Sequence, residues 1–92
     1  YSYDTCLDVA CWTRQVVALS AVVPVVVLEI GETDCGSGYV APLMAWLDEH
    51  GIGYLGWTWN TWNCSSGPAL ISSYDGTPTA YGEAVRTSLL AH

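Results

Sequence analysis

The sequence predicts an α/β chain with parallel strands, and three observations predict it. Residues 22–28, Val22-Val23-Pro24-Val25-Val26-Val27-Leu28, are apolar throughout. A strand with no polar alternate is expected to be buried on both faces, as in a parallel sheet covered by helices. Apolar residues recur at helical spacing on either side of this run, and a second strand-like run, Gly53 to Trp59, follows one helix-length later. A β-α-β order of this kind crosses over with right-handed chirality.

Each element has its own reason. Cys11 to Val22 reads as a helix with Trp12, Val16 and Leu19 inward and Arg14 and Gln15 outward. Pro24 is acceptable as the first residue of the strand that follows. Small and polar residues from Gly31 to Gly38 form a loop. Val40, Leu43, Met44 and Leu47 then mark one face of a helix, with Asp48 and Glu49 outside. Pro42 is tolerated in its first turn, and Gly51 after His50 reads as its C-terminal cap. The second strand ends in a loop from Asn60 to Pro68. In Tyr74-Asp75-Gly76-Thr77-Pro78, Thr77 suits a cap and Pro78 the first helical position. Tyr81, Ala84, Val85, Ser88 and Leu89 form one face of the last helix. The order is α-β-α-β-α. Two parallel strands alone leave unpaired edges, so the chain is expected to sit in a larger barrel or to be an obligate oligomer.

Composition narrows the function classes. The 92 residues suffice for one small domain. A hydrophobic content of 51% excludes intrinsic disorder. Arg14 and Arg86 are the only two basic side chains against 9 acidic ones, and a net charge of −7 excludes phosphate neutralisation, hence nucleic acid. It also argues against an anionic membrane surface. The apolar run from Ala21 to Leu28 is far shorter than the about 20 residues a bilayer needs. With no signal-peptide pattern and no Met at position 1, the chain is expected to be processed, trimmed or cut from something longer.

Trp and Tyr are used to the exclusion of Phe. These rings pair an apolar face with a polar handle, which suits sugar-binding clefts as well as ordinary packing. Cys6, Cys11, Cys35 and Cys64 contain no CxxC pair, and His50 and His92 lie far from them in sequence. No metal site is therefore expected. Two disulfides in a secreted, extracellular protein are expected instead, with three connectivities open. No phosphate-cradling glycine motif and no Ser-His-Asp set is present, and no cofactor is expected.

Chemistry in α/β folds collects at the carboxyl ends of parallel strands. Glu29 stands there, and ending an apolar strand with a carboxylate costs desolvation unless the group is paired, used or emerges into solvent. Glu32 and Asp34 read as solvated or loop-capping groups. Trp57 and Trp59 share one strand face by period two, as core or as a platform for a ligand, and Trp62 lies in the loop. Asn60 and Asn63 suit loop-backbone bonding, and His50 suits a helix-end cap.

Two segments carry a resemblance. Pro24-Val25-Val26-Val27-Leu28-Glu29-Ile30-Gly31-Glu32 and Gly53-Tyr54-Leu55-Gly56-Trp57-Thr58-Trp59-Asn60 resemble the last part of a glycoside hydrolase family 5 cellulase, an endo-β-1,4-glucanase. That family consists of retaining (β/α)8 barrels. Glu29-Ile30-Gly31 matches the motif whose Glu is the nucleophile, although Leu28 stands where the family usually has Gly. Trp57 or Trp59 matches the Trp that stacks on the sugar at the cleavage point. Tyr1-Ser2-Tyr3 resembles the stretch that places a Tyr beside the nucleophile, with Tyr1 the match. Asp75-Gly76-Thr77-Pro78-Thr79 resembles the entry to the final helix.

The resemblance implies that residues 1–92 form a single partial (β/α)8 barrel segment, strands 7 and 8 with helices 6 to 8, running from the loop after strand 6 to the end of helix 8. It implies Glu29 as nucleophile, Tyr1, Trp57, Trp59 and Trp62 as substrate contacts, and a β-glucan or cello-oligosaccharide as ligand. The partner is expected to be a second copy of the chain or the rest of the barrel. It also implies the pairings Cys6–Cys11 and Cys35–Cys64, the latter joining the loops after adjacent strands. The family's acid/base carboxylate has no match here, so the chain alone is expected to be weakly active or inactive. The competing expectations are a β-glucan-binding module without turnover and a self-associating fragment without activity.

Overall fold

The structure is a computed structural model that describes residues 1 and 5–91. Ser2, Tyr3, Asp4 and His92, including two residues of the Tyr1-Ser2-Tyr3 motif, lie outside the described residues. Helix α1 is a continuous run made of Val9–Trp12, Thr13–Val17 and Ala18–Ser20, the middle stretch wound as a π-helix. Strand β1 is Val26–Ile30, helix α2 is Val40–Glu49, strand β2 is Gly53–Gly56 and helix α3 is Ala80–Leu90. No helix of the described residues is long and apolar enough to cross a membrane.

Local chemistry sets the ends of the helices. The Asp8 carboxylate accepts from the Cys11 N–H at 2.9 Å and starts α1. Gly51 takes φ 67° just past α2, the left-handed conformation of a helix-ending glycine. Helix α3 begins later than the turn pattern suggests. Thr79, rather than Thr77, is its cap, and its hydroxyl accepts from the Gly82 N–H at 3.0 Å. Thr77 is engaged in the preceding turn, where its N–H and hydroxyl donate to Asp75 at 2.9 and 2.7 Å.

The strands are parallel, with Val26 beside Gly53, Val27 beside Tyr54 and Ile30 beside Gly56. Between the second and third pairs β1 advances one residue more than β2, a bulge at the end that carries Glu29. One core joins the layers: Trp12 from α1, Ile30 from β1, Leu43, Met44 and Leu47 from α2, and Tyr81 and Val85 from α3. Burying such side chains supplies about 1.5–3 kcal/mol each. Helix α3 can approach closely because residue 82 is glycine. A Cβ there would fall 1.8 Å from the Leu70 carbonyl oxygen.

Several expectations are corrected. The partial (β/α)8 barrel, strands 7 and 8 with helices 6 to 8, is not what the chain forms. The described residues make a small α/β unit of three helices and a two-stranded parallel sheet, too small for that barrel segment. The physical reason lies in how the sheet is covered. The apolar run of β1 suggested helices or a barrel interior on both faces, but the helices cover only one. Val26, Leu28 and Leu55 remain exposed on the strands, Leu28 by 71%. Closure comes instead from the segment after β2, which folds back through Leu70 N–H to Thr58 O at 3.1 Å and Thr79 N–H to Leu70 O at 3.0 Å. Strand β2 ends at Gly56, so Trp57 and Trp59 lie beyond it. Leu19 and Leu89, expected inward, are exposed.

Candidate functional site

The candidate site lies at the carboxyl ends of β1 and β2, where the chain leaves the sheet through two loops. Glu29 is the penultimate residue of β1, and its side chain is exposed. The Tyr1 hydroxyl donates to its Oε2, across 28 residues of sequence. Tyr1 can lie there because residue 31 is glycine. A Cβ on Gly31 would fall 2.9 Å from the Tyr1 ring and 2.9 Å from Pro68. The structure therefore brings together Tyr1 and Glu29, two of the residues read from the sequence.

Glu29 opens onto a cavity of about 210 Å³. Tyr1, Trp12, Val27, Tyr39 and Trp46 share its walls, and Glu29 is the one carboxylate among the described residues that lines it. Trp12 sits edge-on to Tyr39 at 6.3 Å between ring centres and against Trp46 at 5.5 Å. The aromatic lining thus comes from Tyr1, from Trp12 of α1, from Tyr39 just before α2 and from Trp46 of α2. Sequence reasoning assigned Trp12 to packing and did not single out Tyr39 or Trp46.

The three tryptophans of the second loop are placed elsewhere. Trp57, Trp59 and Trp62 are all exposed, Trp59 by 64%, and none lines the Glu29 cavity. Trp59 borders a separate groove of about 550 Å³ with Ile71, Pro78, Val85 and Arg86. The Trp62 indole lies on Gly67, where a Cβ would meet it at 2.8 Å. Asn60 and Asn63 bond loop backbone, accepting from the N–H groups of Trp62 at 3.1 Å and Ser65 at 3.0 Å. The Trp57–Thr58 peptide is cis.

Two groups that the sequence left as loop or core organise the strand ends. Glu32 is only 5% exposed. Its Oε1 accepts from the N–H groups of Tyr39 at 2.8 Å and Val40 at 3.0 Å, satisfying the start of α2 from within the loop. Its neighbour Asp34 accepts from the Gly36 N–H at 2.9 Å. That bond holds the Asp34 carboxyl below the usual carboxylate range. Tyr81 is fully buried in α3. Its hydroxyl hydrogen lies between the carbonyls of Ile30 at 2.7 Å and Trp57 at 2.9 Å, and its oxygen accepts from the Trp57 N–H at 3.1 Å. Burial pushes this phenol up to about 12.

Disulfides brace the loops. Cys35 pairs with Cys64, joining the loop after β1 to the loop after β2, and Cys6 pairs with Cys11 at the start of α1. The Trp12 indole N–H donates to the Cys6 carbonyl at 2.9 Å, so the first bridge also fixes a wall of the Glu29 cavity. His50 caps the end of α2, its Nδ1 2.8 Å from the Trp46 carbonyl. Two disulfides fit a protein of an oxidising compartment. No family model matches the chain, and neither a curated protein nor a solved structure matches it.

Proposed function

We propose that the chain binds β-1,4-glucan or cello-oligosaccharide at the carboxyl ends of its two strands, with Glu29 as the carboxylate that meets the sugar. The observation that carries this reading is the exposed Glu29 carboxylate, held by the Tyr1 hydroxyl over an aromatic-lined cavity. A phenol donating to the carboxylate fixes its direction. The exposed indoles of Trp57, Trp59 and Trp62 offer flat faces on the adjoining loop for further sugar rings.

The motif resemblance to family 5 cellulases supports Glu29 as the counterpart of a retaining nucleophile, and only the motif is carried over. Retaining hydrolysis needs a second carboxyl group about 5 Å away to protonate the leaving oxygen. Among the described residues no second carboxylate lines the cavity. Glu32 is committed to the start of α2 and Asp34 to Gly36. The isolated chain therefore binds and hydrolyses weakly or not at all. Its two disulfides support a secreted, extracellular protein in this reading. On a soluble cellulose derivative, residual hydrolysis is expected to vanish in Glu29→Gln, and hydrolysis that survives this change contradicts the role given to Glu29.

A second reading is favoured by a separate observation, the bare apolar sheet face of Val26, Leu28 and Leu55. A contiguous exposed apolar face marks an association site, and here the partner is a second copy of the chain. Sedimentation at micromolar concentration is expected to show a dimer or larger species. A well-behaved monomer contradicts this reading.

A further inference from the structure

We propose that Tyr81 is a positioning residue of the site: its hydroxyl ties the Ile30 carbonyl to both backbone groups of Trp57, and so fixes Glu29 and the Trp57 indole relative to each other. Glu29 immediately precedes Ile30 in β1, and Trp57 is the first residue past β2. Past the bulge between Val27 and Ile30, the sheet ladder holds these two points through a single pairing, Ile30 beside Gly56. A small knot of bonds reinforces it. The Trp57 N–H donates to the Ile30 carbonyl at 2.8 Å and to the Tyr81 oxygen at 3.1 Å. The Tyr81 hydrogen is shared by the Ile30 and Trp57 carbonyls at 2.7 and 2.9 Å.

Tyr81 is suited to this task by its own anchoring. It is fully buried, and its backbone N–H donates to the Cys35 carbonyl at 2.8 Å, so the ring enters from a fixed point beside the Cys35–Cys64 bridge. A phenylalanine at the same place fills the same core space and leaves the Ile30 and Trp57 carbonyls without their shared donor. Core packing and positioning therefore separate at one atom, the hydroxyl oxygen.

The test has two arms, and the second rests on the glucan reading. In the first, amide hydrogen exchange is compared between the wild type and Tyr81→Phe. The Trp57 amide is expected to exchange about tenfold faster in the variant, while the Leu43 and Leu47 amides of α2 keep their rates. An unchanged Trp57 rate, or an equal acceleration of all three, overturns positioning in favour of a plain packing role. In the second arm, cellotetraose affinity is measured for the wild type, Tyr81→Phe, Trp57→Ala and the double variant. Tyr81→Phe is expected to weaken binding about fivefold and to add nothing in the Trp57→Ala background. Equal affinity of Tyr81→Phe and wild type, or additive losses, overturns the proposal. A wild type that does not bind cellotetraose sinks the glucan reading instead, and the exchange arm then decides the Tyr81 clamp by itself. Should Tyr81→Phe not fold, the wild-type pattern decides. A Trp57 amide as protected as that of Leu47 supports the clamp, and one as fast as the loop amide of Thr61 overturns it.

Discussion

The phenol of Tyr1 donates to the Glu29 carboxylate, joining the start of the chain to the end of its first strand. This contact gives an exposed carboxylate a fixed orientation without burying it. Tyr1→Phe keeps the ring that packs on Gly31 and removes only the donor. The variant is expected to keep the thermal midpoint of the wild type within about 2 °C and to weaken cellotetraose binding about three- to tenfold. Calorimetric titration beside a thermal melt separates the two effects.

Glu32 is a structural carboxylate. Glu32→Ala leaves two N–H groups at the start of α2 without their acceptor, and it is expected to cost about 1–3 kcal/mol in urea unfolding. Glu32→Gln keeps an oxygen in place and is expected to cost less. A Glu32→Ala variant as stable as the wild type contradicts the capping role.

The two bridges are expected to differ in weight. Cys35–Cys64 closes a loop with a sequence separation of 29, and Cys6–Cys11 one of 5. In the chain-entropy account the first contributes about 3–4 kcal/mol and the second about 2 kcal/mol. Paired serine substitutions at Cys35 and Cys64 are therefore expected to lower the denaturation midpoint more than those at Cys6 and Cys11. The reverse order contradicts the loop-length argument.

Stability is expected to fall at both ends of the pH scale. The Thr77 hydroxyl and N–H hold Asp75 below the usual carboxylate range, and the Gly36 N–H does the same for Asp34. A lowered folded value contributes stability above the unfolded value, about 3.9, and loses it as pH falls through the folded value. Melts are therefore expected to weaken below about pH 4, and less so in Asp75→Asn. Tyr81 runs the other way. Its raised value, about 12, contributes stability that is full below the unfolded value of about 10 and is lost as pH rises toward 12. Tyr81→Phe is expected to flatten the alkaline limb.

The element order was legible in the residues because its signals are local. The spacing of Val40, Leu43, Met44 and Leu47 marks α2 wherever it packs, and all four are buried in the structure. The exposed face of β1 was not legible. A run of valines looks the same whether one side of the sheet is covered or both, and only the tertiary layers decide. The Trp57–Trp59 face was misread because β2 stops at Gly56, where Trp57 is taken up by Ile30 and Tyr81. The pairing of Tyr1 with Glu29 was readable from a motif. The buried cap of Glu32 and the Tyr81 clamp were not, since each depends on partners brought in by the fold: Tyr39 and Val40 for Glu32, Ile30 and Trp57 for Tyr81.

The most direct test of the proposed glucan site is calorimetric titration of the purified chain with cellotetraose, alongside Glu29→Ala. Binding by the wild type, weakened about tenfold or more by loss of the carboxylate, is the predicted result. No measurable binding by the wild type, or equal binding by the two proteins, contradicts a sugar site built on Glu29.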